Sequence, residues 1–311
     1  MIVTVTPNPS IDRTVRIPRL VQGDLVRATG ATAEAAGKGV NVGRVLAAQG
    51  ADVIAVAPLS ASSDVAFRAL LGTGLRLEAV TIRGDVRVNV SLIEDDGTVT
   101  KVNEPGPTLD DPAAGALLQR TAQLARETSA AWVIASGSLP PGAPTDFYAR
   151  LGAALPPAVR FAVDADGGAL RAALAARPAL IKPNQSELER LVGRPLRTLG
   201  AVIDAAVDVL RAGPSAVLVS LGADGAVFVD GRSVAHAEAR IDDVDNPVGA
   251  GDALLAGFIA AGADQGALPE AVAWSVAACR SPGTQVRVVE ARDRAAVVVH
   301  DDVASERLLA A

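Results

Sequence analysis

The sequence predicts an α/β protein built on a largely parallel central sheet with helices on both faces. Three observations predict it. Short apolar runs alternate with helical patterns along most of the chain, and alternating strand and helix favours a parallel sheet covered on both sides. Hydrophobic residues make up 50% and aromatics only 3%, so the core must be mostly Ala, Val and Leu. The 311 residues suit one large α/β core with a small appendage.

Core strands are expected at 2–6, 53–57, 132–136, 160–164, 179–182, 216–220 and 226–229. Helical patterns separate most of them, at 40–49, 63–71, 112–126, 145–155, 168–175, 186–191 and 199–211, with two more at 251–261 and 269–279. Two stretches break the rhythm. Residues 12–30 and 80–103 read as short β segments, and Asp95-Asp96-Gly97 reads as a hairpin turn before Thr98. Such strands fit poorly inside a parallel sheet. They are expected to form a small β lid over the carboxyl edge, where ligands of open α/β sheets bind.

The totals exclude some classes. No apolar run reaches the roughly 18–20 residues a membrane span needs. Met1–Val5 has no basic region before its apolar stretch, which argues against a signal peptide. The formal net charge of −6 argues against bulk nucleic-acid binding. The single cysteine, Cys279, permits no intrachain disulfide, and its apolar flanks predict a buried small hydrophobe. Together these predict a soluble cytoplasmic protein.

Several motifs can carry chemistry. In Asn246-Pro247-Val248-Gly249-Ala250-Gly251-Asp252, a Gly-Ala-Gly turn leads into an apolar helix. Small residues let backbone N–H groups approach an anion, and the helix N-terminus adds positive potential. Asp252 there can accept a proton from an attacking hydroxyl, or simply complement the helix dipole. Gly37-Lys38-Gly39-Val40-Asn41 is neither a P-loop nor G-x-G-x-x-G. It either presents a lysine and an amide to a polar ligand or is a glycine turn that starts a helix. Asn184 and Glu187, in Lys182-Pro183-Asn184-Gln185-Ser186-Glu187, have capping-box spacing. The alternative is that Glu187 serves a magnesium ion, directly or through water. The glycines of Ser220-Leu221-Gly222-Ala223-Asp224-Gly225 can admit a flat base or form a tight turn. Asp12, after the first strand, can reach a substrate hydroxyl or be a turn aspartate. His236 and His300 lie in no ligand pattern, which favours a carboxylate base.

The order and spacing of these motifs resemble those of the PfkB (ribokinase-like) carbohydrate kinase family, of the 1-phosphofructokinase and tagatose-6-phosphate kinase type. The resemblance rests on Ala36-Gly37-Lys38-Gly39-Val40-Asn41-Val42 and Val248-Gly249-Ala250-Gly251-Asp252. Arg87-Val88-Asn89-Val90, Gly-Ser-Leu-Pro-Pro-Gly at 137–142, the 182–187 segment and Ser-Leu-Gly at 220–222 add to it. It implies one ribokinase-like domain over 1–311, a three-layer sandwich with a β lid that often forms a dimer contact. It also implies ATP with Mg2+ as donor and a phosphorylated ketohexose as acceptor, fructose 1-phosphate first. The competing acceptors are fructose 6-phosphate and tagatose 6-phosphate, and a catalytically weak sugar-phosphate sensor is the reading from another class.

By position, the resemblance makes Asp252 the base and the amides of Gly249, Ala250 and Gly251 the anion hole. Asp12, Gly37, Lys38 and Asn41 would hold the sugar. Arg87, Arg27 and Ser138 would contact its phosphate. Lys182, Ser220, Gly222 and Gly225 would border the nucleotide, and Asn184 and Glu187 would organise magnesium. The chain departs from the pattern twice. Pro247 stands where many relatives carry Ser or Thr, and Ser91 where many fructose-1-phosphate kinases carry lysine.

Overall fold

A computed structural model describes residues 1–244, 248–281, 287–300 and 303–310. Its strands are Ile2–Val5 (β1), Ser10–Ile17 (β2), Gly30–Ala36 (β3), Val53–Leu59 (β4), Arg76–Thr81 (β5), Arg87–Glu94 (β6) and Val99–Asn103 (β7). They continue with Trp132–Ser136 (β8), Arg160–Asp164 (β9), Leu180–Ile181 (β10), Ala216–Ser220 (β11), Ala226–Asp230 (β12), Val234–Ala239 (β13) and Val297–His300 (β14). The helices are Lys38–Ala48 (α1), Ala61–Leu71 (α2), Asp111–Glu127 (α3), Phe147–Ala154 (α4), Gly167–Ala173 (α5), Gln185–Val192 (α6), Leu199–Leu210 (α7), Ala250–Ala260 (α8), Leu268–Cys279 (α9) and Ala291–Ala295 (α10).

The main sheet has the order β14-β13-β12-β11-β10-β9-β8-β1-β4-β5. It is parallel from β5 through β11 and antiparallel from β11 to β14. Side chains alternate between its two faces, and two cores result. Trp132, Ile134, Ala162 and Leu218 pack with α1, α2, α8 and α9. Val133, Ala135, Val163, Val217 and Val219 pack with α3, α4, α5, α6 and α7. This is a three-layer ribokinase-like sandwich, mixed at one end.

The expected core strands and helices all form, with ends shifted by a few residues. Three strands of the main sheet and one short helix lay outside the expectation: β5, β13, β14 and α10. β13 reads Val-Ala-His-Ala-Glu-Ala and lacks an apolar stripe, because His236 and Glu238 are buried yet polar.

A second sheet has the order β3-β2-β6-β7. Its members fall at 10–17, 30–36, 87–94 and 99–103, so residues 80–81 belong to β5 and residues 18–29 are a connecting loop. β3 (Gly-Ala-Thr-Ala-Glu-Ala-Ala) has helix-forming residues, but pairing with β2 over seven registers overrides that preference. Asp95-Asp96-Gly97 makes the β6–β7 turn as expected, with Gly97 at φ 87°.

Candidate active site

Parallel strands bring their carboxyl ends to one edge, and the second sheet stands beside it. Between them lies a cavity of about 1010 Å3. β1 runs into Thr6, β9 ends at Asp164, β10 leads into Lys182 and β11 ends at Ser220. The start of α1 sits close against the end of β1. A Cβ at Gly37 would strike the Thr6 side chain, and one at Gly39 would meet the Val5 carbonyl oxygen at 2.6 Å. Glycine is required there because the backbones touch. This contact aims Lys38 and Asn41 into the cavity.

Asp252 lies in the first turn of α8, after Gly249 in a left-handed conformation at φ 85°. It is 7% exposed. Its Oδ2 accepts a hydrogen bond from Asn41 Nδ2 at 2.9 Å. Burial, and then the negative charge of Asp164, push its carboxyl up to about 6. The Asn41 bond and the two nearby lysines pull the other way.

Asp164 is fully buried and holds both lysines. Lys38 Nζ lies 2.9 Å from its Oδ1 and Lys182 Nζ 3.2 Å from its Oδ2. Burial alone would raise the Asp164 carboxyl, but Lys182 and Lys38 hold it below the usual range. Burial alone would lower the Lys38 ammonium. Asp164, then Glu187, outweigh that and raise it. Lys182 Nζ also sits 3.6 Å from where a Cβ on Gly251 would be, beside the Gly249–Gly251 turn. The first amides of α8 have no intrahelical partner. Amides and an ammonium thus converge on one place suited to an anion.

On the second sheet, Asp12 Oδ1 accepts from Ser10 Oγ at 2.7 Å and Asn89 Nδ2 at 2.9 Å. Arg87 donates to the carbonyls of Glu104 and Asn8 at 3.3 and 3.2 Å. Burial lowers its guanidinium, which the charge of Asp12 opposes. Arg87 Nε, Asn41 Oδ1 and Asn89 Oδ1 are buried without a hydrogen-bond partner. Such atoms are costly unless something satisfies them.

Of the residues the sequence singled out, Gly249, Ala250, Gly251 and Asp252 line the cavity, as do Asp12, Gly37, Lys38, Asn41 and Arg87. Lys182, Asn184, Ser220, Gly222 and Gly225 line it as well. Three do not. Arg27 is exposed on the loop between β2 and β3 and reaches no part of the lining. Ser138 is exposed and only meets Asn8 Nδ2, at 3.4 Å. Glu187 is spent locally: its Oε2 accepts from Asn184 N at 2.8 Å, while Asn184 Oδ1 accepts from Glu187 N at 2.8 Å. The capping box is therefore real, and Glu187 faces the cavity only through Lys38, 3.6 Å from its Oε1.

Sequence reasoning missed Asp164, Asn89 and Ser10. Asp164 ends an expected strand, and a charged residue at that edge was the available signal. Asn89 and Ser10 are two-residue neighbours of Arg87 and Asp12, so strand alternation was the signal for them. Cys279 is half-buried and lines the cavity rather than the core. Pro247 lies outside the described residues. Ser91 follows Asn89 on the same face but does not reach the lining, and Lys101 stands opposite it on β7.

The fold and this cleft define a ribokinase-like α/β protein with a ligand site at the carboxyl edge of its sheet. The chain belongs to the pfkB family of carbohydrate kinases, whose family model matches residues 5–286. It is similar to the 1-phosphofructokinase of Rhodobacter capsulatus, 38% identical over 83% of this chain and 82% of that protein. It is also similar to the 1-phosphofructokinase of Xanthomonas campestris pv. campestris, 35% identical over 96% and 97% of the two chains. Among solved structures it resembles Escherichia coli phosphofructokinase-2 in complex with substrates and products. That match has a TM-score of 0.84 and 29% identity, over 94% of this chain and 97% of the other. Kinases of this family use a phosphoryl donor and a sugar acceptor. No helix among the described residues is long and apolar enough to cross a membrane.

Proposed function

We propose that the protein phosphorylates fructose 1-phosphate with ATP to give fructose 1,6-bisphosphate, with Asp252 as the base. The observation that carries the reading is Asp252 itself. It is a buried carboxylate at a helix N-terminus, tuned to about 6, inside a ligand-sized cleft. A base near neutrality combines the right protonation state with useful driving force. The sugar's 6-hydroxyl attacks the γ-phosphorus. The new O–P bond forms as the bond to the β-phosphate oxygen breaks, the proton passes to Asp252, and ADP leaves. Little covalent chemistry is asked of the protein, so positioning and charge carry the catalysis. The amides of Gly249, Ala250 and Gly251 and the ammonium of Lys182 stabilise the transferring group. Asp12, Asn41 and Asn89 orient the hydroxyls, and Arg87 takes the sugar's own phosphate. Ser220, Gly222 and Gly225 border the nucleotide.

Magnesium would enter with ATP. No cluster of three or more acidic, histidine or cysteine side chains is set for a metal among the described residues. That fits an ion held mainly by phosphate oxygens and water, with Asn184 at the cavity wall and Glu187 behind it. Bound there, it would neutralise charge on the phosphates. The second sheet would act as a lid, since it carries Asp12, Arg87 and Asn89 over the cleft. Its opposite face presents Val15, Val90, Leu92 and Val102, half-exposed or exposed. A second copy covering that face would make a homodimer, and Arg27 would then serve only if dimer contacts move its loop. A cytoplasmic setting suits an ATP-consuming sugar kinase.

The test is ADP release with Mg-ATP against fructose 1-phosphate, fructose 6-phosphate and tagatose 6-phosphate. Fructose 1-phosphate is expected to lead in kcat/KM. A lead by another sugar phosphate would reassign the acceptor, and turnover by none of them would sink the reading.

A further inference from the structure

We propose that Arg307, near the C-terminus, is a positioning residue for the nucleotide: it locks the Gly222–Gly225 turn from behind. The proposal rests on the reading above, in which that turn borders ATP. Gly222 and Gly225 both have positive φ, at 60° and 80°, which side-chain-bearing residues rarely adopt. Glycine is free in many other conformations, so such a turn needs an external anchor to hold one shape. Gly222, Ala223 and Gly225 line the cavity, whereas Asp224 points away from it.

Asp224 is the anchor, and every acceptor on it is taken. Its backbone oxygen meets His236 Nε2 at 2.8 Å. Its Oδ1 accepts from Arg307 Nη2 at 2.7 Å and its Oδ2 from the Ala310 amide at 2.6 Å. Arg307 Nη2 also reaches Glu238 Oε2, on β13, at 2.5 Å. Glu238 Oε1 lies 3.1 Å from His300 Nε2, and the His300 ring stacks on His236 at 4.8 Å between centroids. The side chains of Asp224 and Glu238 are 9% and 6% exposed, so losing the guanidinium would leave two buried carboxylates without their shared cation. Gly225 backs directly onto this strand, since a Cβ there would collide with the backbone of Ala237 and Glu238.

The tail bearing Arg307 is itself fixed. Leu199 N donates to Arg307 O at 2.9 Å, Gly200 N to Ser305 O at 2.8 Å and Leu309 N to Arg197 O at 3.0 Å. Val303 and Leu309 pack against the second core. Ser305, Arg307 and Leu309 lie beyond residue 286, where the family match ends, whereas their partners lie within it. The final residues thus tie the start of α7, strand β13 and the nucleotide turn into one unit.

The experiment measures ADP binding by calorimetry, and steady-state rates with ATP and sugar phosphate varied separately. It compares the wild type with Arg307→Met, Arg307→Lys and Asp224→Asn. For Arg307→Met, KM for ATP and Kd for ADP should each rise about tenfold, since a small misplacement of a binding element is costly. The KM for sugar phosphate and kcat should stay within about twofold. Arg307→Lys should recover part of the loss. A merely structural role would instead lower kcat in step with the folded fraction and leave KM for ATP alone, and that result overturns the proposal. If Arg307→Met does not fold, the isosteric Asp224→Asn decides by the same split. A wild type that binds no ADP overturns the functional reading and this proposal together. A wild type that binds it, with variants unchanged in Kd, overturns this proposal alone.

Discussion

A single carboxylate shows the conflict between function and stability in this fold. Asp252 has a folded-state value near 6, above its ordinary 3.8. A raised acid means that its charged form is disfavoured in the folded protein. Its contribution is therefore neutral well below 3.8, grows unfavourable as pH rises from 3.8 towards about 6, and is fully unfavourable at pH 7. Asp252→Asn should accordingly raise the melting temperature at pH 7, by a stabilisation on the order of 3 kcal/mol, and by much less at pH 4.5. The amide can still accept from Asn41. The same variant should lose about 10²- to 10⁴-fold in kcat, and near-wild-type turnover would remove Asp252 from the mechanism. In the wild type, kcat/KM should fall below about pH 6, as the base becomes protonated. A flat profile down to pH 5 would contradict that.

Two element boundaries position this chemistry. α1 begins against the end of β1, where only glycine fits. In Gly39→Ala the new methyl would press on the Val5 carbonyl oxygen. Overpacking of this kind costs about 1–3 kcal/mol. Because it pushes Lys38 and Asn41 aside, kcat should fall along with the melting temperature. A variant stable and active as wild type would show that the helix start tolerates displacement. α6 begins with the Asn184–Glu187 capping box. Asn184→Ala should cost about 1 kcal/mol of stability, read by denaturant unfolding. The glycines and the capping box were legible in the sequence as spacing. What spacing left open was whether Glu187 caps the helix or faces a metal. The structure shows the reciprocal hydrogen bonds, and these are made by orientation rather than by residue type.

On the scale of the whole molecule, the second sheet divides its side chains between two tasks. Ser10, Asp12, Arg87 and Asn89 face the cavity, while Val15, Val90, Leu92 and Val102 face away. An apolar sheet face needs covering. Light scattering should therefore find a dimer at micromolar concentration, and Leu92→Asp should convert it to monomer. A wild-type monomer would refute the proposed dimer.

The alternation of strand and helix, the glycine turns at 37–39 and 249–251 and the order of the motifs were fixed locally, so the sequence by itself determined the three-layer architecture, the family and most of the cleft. β3, β13 and β14 were not legible: β3 and β13 pair with the strands just before them but carry no apolar stripe to mark them, and β14 pairs with β13 across the whole of α8 and α9. In β13 an ion-paired glutamate and a stacked histidine are buried alongside Ala235 and Ala237, so no alternating apolar pattern marks it. Asp164 was legible only as a charge at a strand end, and its role was not. Its importance comes from Lys38 and Lys182, which arrive from 126 residues upstream and from the neighbouring strand's end. Charge, burial and the tuning of Asp252 are sums over such neighbours. Only the tertiary structure could decide them, because Coulomb and desolvation energies depend on distances in space and not on separation along the chain.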